Sequence, residues 1–344
     1  MTTPTLSVIM GNYNHAHYLV ESIPAILNQS FRPKEFIIID DASTDNSVEV
    51  IEAFAKKDPV VRFYKNDINL GNAPTYIKAL EKVTGDYFLV AAADDLVFPG
   101  LFEKSIEMLE KHPQAGLCSA ISKRVDENGD ELVTAPEPPY ISKTPCYLSP
   151  DKVLRLSLDA EAWCIIQTGI WRKTTFVEAG GFPVEAGEFA DGFTIPLVTL
   201  NYGACFIPEI LGMYRVLPGS LASLTRYDPK AFMDRMTGII NLMNTSYAGK
   251  FPVSYVNEFH KQALYQMGAI SLHNMETAAN ECFDNLNKSF QSGNFLYWFV
   301  LLGSKFLFKM QKEMLKLVLF VRLRKMNWVL IKRSFFRLKN KLAG

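Results

Sequence analysis

Short apolar runs alternate with helical patterns along the first third of the 344-residue chain, and this alternation strongly restricts the possible folds. Short continuous runs rich in β-branched and aromatic residues are typical of strands buried on both faces. The segments between them place apolar residues three and four positions apart, as amphipathic helices do. This succession predicts a parallel sheet that binds ligands beyond the carboxyl ends of its strands. The predicted strands span residues 6–10, 36–39, 61–64 and 87–91.

The pattern is less regular after Gly116, and from about residue 229 onward the periodicity is helical throughout. A Pro-rich stretch at residues 135–150 predicts an exposed loop between two halves of one domain. We therefore expect an α/β domain at residues 1–225 and a helical C-terminal region at residues 226–344. Further strands are predicted at residues 165–171, 204–207 and 211–216.

The charge and cysteine content narrow the class of protein. The chain carries 36 Lys and Arg against 36 Asp and Glu, and this zero net charge predicts no nucleic acid as a partner. Its five cysteines are never spaced as Cys-x-x-Cys, so the sequence predicts neither a disulfide framework nor a zinc site. The N-terminus lacks the basic segment of a signal peptide, and no run reaches the roughly 18 apolar residues of a membrane-spanning helix. These features predict a cytoplasmic protein.

Acidic and small polar residues follow three of the predicted strands. The first strand runs into Gly-Asn-Tyr-Asn at residues 11–14, the second into Asp40 and Asp41, and the fourth into Asp94 and Asp95. Carboxylates at adjacent strand ends repel one another unless a cation or hydrogen-bond donors offset them. A divalent ion that also binds a diphosphate would do so, because hard cations prefer oxygen ligands.

Structural explanations of the same residues remain open. Ser43, Asp45 and Asn46 could cap the following helix, with Asn46 and Glu49 forming a capping box. Asp94 and Asp95 could be turn residues. Two acidic pairs that each follow a buried strand favour a binding site over these explanations.

An ordered series of motifs along residues 6–223 resembles that of the family 2 inverting glycosyltransferases with the GT-A fold. Ser-Val-Ile-Met-Gly-Asn-Tyr-Asn at residues 7–14 is similar to the family's first nucleotide-binding strand, and residues 39–45 resemble its Asp-Asp-x-Ser-x-Asp motif. Asp94 and Asp95 stand at its metal-binding Asp-x-Asp motif. The other matches are Asn-Leu-Gly at residues 69–71, Thr-Gly-Asp-Tyr at 84–87, Gly-Gly-Phe at 180–182, Asp191, and Tyr-Arg-Val-Leu-Pro-Gly-Ser at 214–220.

The resemblance implies a fold, an activity and a cofactor. The fold would be α/β of the GT-A type, with a Rossmann-like, mostly parallel sheet, flanking helices and a C-terminal helical extension. The activity would be transfer of a hexosyl or N-acetylhexosaminyl group from a nucleoside-diphosphate sugar, with UDP as the expected nucleotide, to an acceptor hydroxyl with inversion. The cofactor would be a divalent metal, Mn²⁺ or Mg²⁺.

The family's residue roles carry over to the matching positions. Gly11 and Tyr13 would border the donor nucleotide, with Tyr13 stacking on or bordering the base. Asp41 would accept a hydrogen bond from a uracil-type N3–H. Asp94 would contact the ribose or the metal, and Asp95 would bind the metal.

Asp191 would be the general base that deprotonates the acceptor hydroxyl, and Glu188 is the alternative for this role.

The series of motifs also departs from the family's usual pattern. Ala92 stands where an aspartate is frequent, and Ala190 where a glutamate is usual. The other departures are Tyr76 and Ile77, where a basic residue and an asparagine are frequent, and Leu217, where histidine is common. These departures motivate an alternative, a catalytically inactive nucleotide- or glycan-binding protein on the same fold.

The C-terminal segment is basic and aromatic. Residues 305–344 contain twelve Lys and Arg against one acidic residue, Glu313. Helices of this composition can lie on an anionic lipid surface, although a helix that packs on the domain or forms a dimer contact is the open alternative. We expect a peripheral position at the inner face of the cell membrane and a lipid-linked or other cell-surface glycan as the acceptor.

Overall fold

A computed structural model describes residues 3–132, 141–159, 164, 166–217 and 229–273. The chain divides into two compact units. The first unit consists of residues 1–156 and 161–218 and holds the sheet and every predicted site residue. The second consists of residues 157–160 and 219–344.

The described residues form nine strands and nine α-helices. The strands are β1 (Leu6–Asn12), β2 (Glu35–Asp40), β3 (Val61–Lys65), β4 (Tyr87–Ala92), β5 (Leu96–Val97), β6 (Leu117–Val125), β7 (Cys146–Leu148), β8 (Ile170–Arg172) and β9 (Ala204–Arg215). The helices are α1 (Ala16–Leu27), α2 (Ser47–Lys57), α3 (Asn72–Leu80), α4 (Leu101–Lys111), α5 (Pro150–Leu158), α6 (Lys173–Ala179), α7 (Ala190–Tyr202), α8 (Pro229–Asn244) and α9 (Val253–His273). Two short 3₁₀ helices span Ile166–Thr168 and Val184–Phe189.

The strands form one sheet in the order β3-β2-β1-β4-β8-β6-β9-β5, with β7 also paired to β9. β1, β2, β3 and β4 run parallel, and β8 is antiparallel to both β4 and β6. β6 therefore points the same way as β4, and β9 runs parallel to β6. The mixed, mostly parallel α/β fold predicted from the sequence is confirmed, and the four predicted N-terminal strands correspond to β1, β2, β3 and β4.

The central strands are buried because their sequences are apolar on both faces. Every residue of β2 is buried, and so are all residues of β1 except Gly11. Helices cover both faces of such a sheet. α1 contributes Leu19, Ile23 and Ile26 to the core. This packing leaves the carboxyl ends of β1, β2 and β4 as the place where polar residues can meet.

The second half of the domain differs from the prediction in four respects. The strand predicted at residues 165–171 is the 3₁₀ helix Ile166–Thr168 followed by β8, and residue 165 lies outside the described residues. The two strands predicted at residues 204–207 and 211–216 are one strand, β9, with a register shift against β6. β6 was not predicted, because its sequence contains the buried serines Ser119 and Ser122 and looks too polar for a core strand. The Pro-rich segment predicted to be a loop contains β7, which pairs with β9, and residues 133–140 of that segment lie outside the described residues.

The described part of the second unit contains α8 and α9. In the part of the chain that the structure describes, no helix combines the length and the apolar character that crossing a membrane requires. The basic segment at residues 305–344 lies outside the described residues.

Glu35 anchors the amino end of β2. Its buried carboxylate accepts hydrogen bonds from Ser7 Oγ at 2.6 Å and from the main-chain N–H and hydroxyl of Thr84 at 2.6 and 2.9 Å. Glu35→Ala leaves three donors without an acceptor, so we expect it to lower the free energy of unfolding by about 3 kcal/mol, as measured by urea denaturation.

Arg62 provides the control for this variant, because it forms an ion pair with Glu35 at 2.7 Å but is 48% exposed. Arg62→Ala should cost less than about 1 kcal/mol. Burial alone would raise the pKa of Glu35, but the hydrogen bonds from Ser7 and Thr84, helped by Arg62, hold it below its usual 4.5. The contribution of Glu35 to the free energy of unfolding is therefore fully present above pH 4.5 and is lost as the pH falls through the lowered pKa. Equal losses in the two variants would contradict this assignment.

Candidate functional site

The carboxyl ends of β1, β2 and β4 lie side by side at one edge of the sheet, called here the carboxyl edge. β1 lies between the other two strands. Asn12 of β1 is in register with Asp40 of β2, and Gly11 is in register with Ala92 of β4. The residues that follow these strands therefore gather at this edge: Tyr13, Asp41, Asp94 and Asp95.

Asp40 fixes the turns after β1 and β2. One carboxylate oxygen accepts the main-chain N–H of Ser43 at 2.9 Å, and the other accepts the Asn12 side-chain amide at 2.9 Å and the Ser43 hydroxyl at 2.5 Å. The Ser43 hydroxyl oxygen in turn accepts the main-chain N–H of Asn14 at 2.9 Å. Asn14 and Ala42 both have positive φ angles, of 57° and 62°, within these linked turns. Asp40 and Ser43 thus hold the loops of the edge.

Asp45 serves the starts of two helices. Its carboxylate accepts the N–H of Ala16, the first residue of α1, at 3.0 Å and the N–H of Ser47, the first residue of α2, at 3.0 Å. The capping box predicted between Asn46 and Glu49 is wrong, because the Asn46 side chain makes no capping hydrogen bond. The Asp45 carboxylate, rather than the Asn46 side chain, accepts the hydrogen bond from the N–H group at the start of α2.

Tyr13 and Asp41 differ in their exposure. Tyr13 is 43% exposed at the end of β1. Asp41 is 4% exposed, and its carboxylate accepts the Asn66 side-chain amide at 2.8 Å and the main-chain N–H groups of Leu70 and Gly71 at 2.9 and 2.8 Å. Asp41 therefore shapes the loop before α3, and its contact with a nucleotide base stays a prediction.

Gly11 leaves room for the ring of Tyr76 from α3. A Cβ atom at Gly11 would lie 3.3 Å from that ring, so the glycine has a packing role besides the predicted nucleotide contact. The Tyr76 hydroxyl donates to the carbonyl of Ala91 in β4 at 3.0 Å. Burial, followed by the nearby Asp94 carboxylate, raises the pKa of Tyr76, so the hydroxyl remains a donor. Tyr76 stands where the family frequently has a basic residue, and its uncharged hydroxyl links α3 to β4.

Arg215, at the end of β9, holds the segment that carries Asp94 and Asp95. Its main-chain N–H donates to the Asp95 carboxylate at 2.9 Å, and its Nε donates to the main-chain carbonyl of Asp94 at 3.1 Å. The guanidinium also donates to the carbonyl of Glu127 at 3.1 Å and lies 4.5 Å from the ring centroid of Tyr18. The sequence indicated Arg215 only as part of a motif, because its contacts join segments that are distant in the chain.

The Asp94–Asp95 pair suits a divalent cation. Burial and then the adjacent Asp94 raise the pKa of Asp95 well above its usual value, and the contacts with Arg215 and Gln167 offset this only in part. The described residues contain no group of three or more His, Cys, Asp or Glu side chains that could hold a metal. A metal here would therefore be bound by these two carboxylates together with oxygens of a substrate, as is usual for Mg²⁺ with phosphates.

A cavity of about 160 Å³ contains Asp191, near the start of α7, and Tyr76. The Tyr76 hydroxyl interacts electrostatically with Asp94, Asp95 and Asp191, so all three carboxylates lie in the neighbourhood of this phenol. Burial raises the pKa of Asp191, and the N–H of Gly192, which donates to its carboxylate at 2.6 Å, offsets this in part. A buried carboxylate with a raised pKa is a stronger base than one in water.

Three of the five departures from the family pattern meet in this cavity. Tyr76, Ala92 and Ala190 all line it. The alternative base, Glu188, lines it as well. The sequence could not show that these positions adjoin, because they belong to α3, β4, α7 and the 3₁₀ helix Val184–Phe189.

A larger cavity, of about 700 Å³, lies at the opposite edge of the sheet and includes Arg172 and Lys173. Its cations are already engaged. Arg172 donates to the carbonyls of Ala115 and Leu109 and to the Tyr87 hydroxyl, and Lys173 donates to the carbonyl of Val83. The chemistry of the carboxyl edge, rather than the size of this cavity, identifies the candidate site.

Residues 7–152 match the family model described as glycosyl transferase family 2. This segment, less than half of the chain, is therefore similar to a family 2 glycosyltransferase domain. The chain is 36% identical over 145 residues to the putative glycosyltransferase EpsE of Bacillus subtilis, a match that covers 41% of this chain and 52% of EpsE. The chain spans about half the length of this and similar curated relatives. The predictions of family and of a glycosyltransferase enzyme are thus supported.

Solved structures of low sequence identity show the same fold. The chain matches residues 1–349 of TarS from S. aureus in complex with UDP-GlcNAc with a TM-score of 0.61 and 17% identity, over 92% of this chain and 89% of that one. It also matches the mannosyltransferase PcManGT of Pyrobaculum calidifontis in complex with GDP-Man and Mn²⁺, with a TM-score of 0.54, 18% identity and coverage of 93% and 86%. Both comparisons support the predicted GT-A fold.

Proposed function

We propose that the chain transfers a sugar from a nucleoside-diphosphate sugar, with UDP as the nucleotide, to an acceptor hydroxyl with inversion at the anomeric carbon. The proposal is carried by the location of Asp94 and Asp95 at the carboxyl edge, near Tyr76, which shares a cavity with Asp191. The TarS and PcManGT complexes, which contain nucleotide sugars, support the class of donor. Residues 1–225 would form the catalytic domain, and residues 226–344 an appended helical region.

Asp191 would act as the general base. Its carboxylate would take the proton of the acceptor hydroxyl while that oxygen attacks the anomeric carbon. The bond from this carbon to the diphosphate oxygen breaks on the opposite face, so the configuration inverts. The buried position and raised pKa of Asp191 suit this role, and Glu188 on the same cavity is the alternative.

Asp94 and Asp95 would hold the cofactor, with Arg215 fixing their segment. A bound Mn²⁺ or Mg²⁺ supplies positive charge that stabilises the departing diphosphate. The Mn²⁺ in the PcManGT complex supports this assignment. Tyr13, Gly11 and Asp41 would border the donor nucleotide at the same edge.

We assign the acceptor to the class of lipid-linked or cell-surface glycans, reached from the cytoplasmic face of the membrane. This assignment depends on the basic composition of residues 305–344, which lie outside the described residues.

Thermal unfolding in the presence of UDP-, GDP- and dTDP-sugars, each with and without Mn²⁺, tests the proposed function. A donor at 100 times its dissociation constant should raise the free energy of unfolding by about 2.7 kcal/mol. We expect a stabilisation that requires both the nucleotide sugar and the metal. No stabilisation by any member of the panel would refute nucleotide-sugar binding. Binding without turnover would favour the inactive binding protein.

A further inference from the structure

Gln167 lies in a firmly held turn beside the candidate site. It is the middle residue of the 3₁₀ helix Ile166–Thr168, just before β8. The buried hydroxyl of the next residue, Thr168, donates to the carbonyl of Ala120 in β6 at 2.8 Å, and its oxygen accepts the N–H of Ala120 at 3.1 Å. The main-chain N–H of Gly169 also donates to the carbonyl of Ile166 at 2.9 Å. The backbone at Gln167 is therefore fixed relative to the sheet.

The two ends of the Gln167 amide have different surroundings. Gln167 makes a side-chain hydrogen bond with the Asp95 carboxylate, and because a carboxylate only accepts, the amide nitrogen is the donor. Among the described residues, the buried amide oxygen Oε1 has no hydrogen-bond partner. Gln167 also lines the cavity that contains Asp191. Gln167 thus brings an acceptor without a donor to the lining of the cavity that contains Asp191.

Gln29 shows that an unpartnered amide oxygen is not by itself sufficient. Its buried side chain donates to the carbonyls of Ala25 and Phe98 at 3.1 and 3.0 Å, and its Oε1 likewise has no partner among the described residues. Gln29, however, is not among the residues that line this cavity. The location of Gln167, between Asp95 and the cavity of Asp191, distinguishes the two glutamines.

We infer that Gln167 is a specificity-determining residue, which holds Asp95 through its amide nitrogen and accepts a hydrogen bond from a hydroxyl of the donor sugar through its Oε1. This inference rests on the proposed function, because it names a contact made by the sugar of that donor. It implies that the protein recognises the sugar as well as the nucleotide. An amide oxygen selects a group that can donate, so a hydroxyl is accepted and a group that only accepts is not.

The test compares the affinities of the full chain for UDP-glucose and UDP, and for GDP-mannose and GDP, by calorimetry with Mn²⁺ present. Gln167→Met preserves the length of the side chain but removes both hydrogen bonds. It should weaken binding of the nucleotide sugar about tenfold more than binding of the corresponding diphosphate, since the lost contact is to the sugar. The matched variant Gln29→Met should leave both affinities unchanged.

Gln167→Glu provides a second variant that does not depend on how Gln167→Met folds. One oxygen of the new carboxyl group can share a proton with Asp95 while the other accepts from the sugar. Preference for the sugar nucleotide over the diphosphate should therefore stay within about threefold of the unmodified chain.

Each outcome decides between the inference and the function on which it rests. Parallel losses of sugar-nucleotide and diphosphate affinity in Gln167→Met would overturn the inference while leaving the proposed function intact. An unmodified chain that binds the diphosphates but prefers neither sugar nucleotide would also overturn the inference. An unmodified chain that binds none of the four probes would refute both.

Discussion

Asp191→Asn is expected to lower kcat by about 10²- to 10⁴-fold, the usual contribution of a general base. The variant keeps the shape of the side chain and its contact with the N–H of Gly192, so the affinity for the donor should stay within about twofold. Initial rates of transfer, together with donor affinity from calorimetry, measure both effects. The difference between them separates loss of the base from loss of the site.

Glu188→Gln is the matched control, because Glu188 lines the same cavity. It should retain most of the activity. If Glu188→Gln loses activity as severely as Asp191→Asn does, the assignment of the base to Asp191 is wrong.

The pH dependence of kcat gives an independent check on Asp191. The base must be deprotonated to act, and burial raises its pKa above the usual 3.8. Activity should therefore fall as the pH is lowered, with the midpoint of this acid limb above pH 3.8. The residual activity of Asp191→Asn should lack this limb.

Asp95→Asn should abolish metal-dependent transfer and at the same time stabilise the metal-free protein. Burial and Asp94 raise the pKa of Asp95, so ionising this carboxyl group costs more in the folded state than in the unfolded state and lowers stability at neutral pH. Removing this ionisable group should raise the free energy of unfolding by about 1 kcal/mol, since one pKa unit corresponds to about 1.4 kcal/mol. The asparagine oxygen can still accept the N–H of Arg215. Binding of Mn²⁺ in the presence of UDP, measured by electron paramagnetic resonance, should be lost.

Asp86→Asn is the control for Asp95→Asn. Asp86 lies at the opposite edge of the sheet, and its carboxylate accepts the main-chain N–H and the hydroxyl of Thr5 at 2.9 and 2.7 Å. This variant should lower stability and leave Mn²⁺ binding unchanged. An Asp95→Asn protein that still binds Mn²⁺ with UDP as the unmodified chain does would contradict the metal assignment.

Strong local patterns allowed the N-terminal half of the fold to be predicted. β1, β2, β3 and β4 are continuous apolar runs separated by amphipathic segments, and each forms where it was expected. β6 escaped prediction because its buried serines find partners only in the folded sheet. β7 has three residues and is held by pairing with β9, which no local pattern reveals.

The candidate site could be predicted as a set of residues but not as a set of contacts. The alternation of strands and helices placed Asp41, Asp94 and Asp95 at one edge, which the topology confirms. It could not show that the Asp41 carboxylate is occupied by the loop before α3, since these hydrogen bonds come from residues 25 to 30 positions later. No sequence motif indicated a role for Gln167, because that role depends on the contact of its side chain with Asp95 in the folded protein.

The location of the nucleotide is the central claim, and diffraction from crystals of the full chain grown with UDP and Mn²⁺ tests it most directly. Anomalous scattering should place the metal against the Asp94 and Asp95 carboxylates, with the base beside Tyr13 and the diphosphate directed toward the cavity of Asp191. Manganese and UDP in the cavity of Arg172 and Lys173, at the opposite edge of the sheet, would contradict the account.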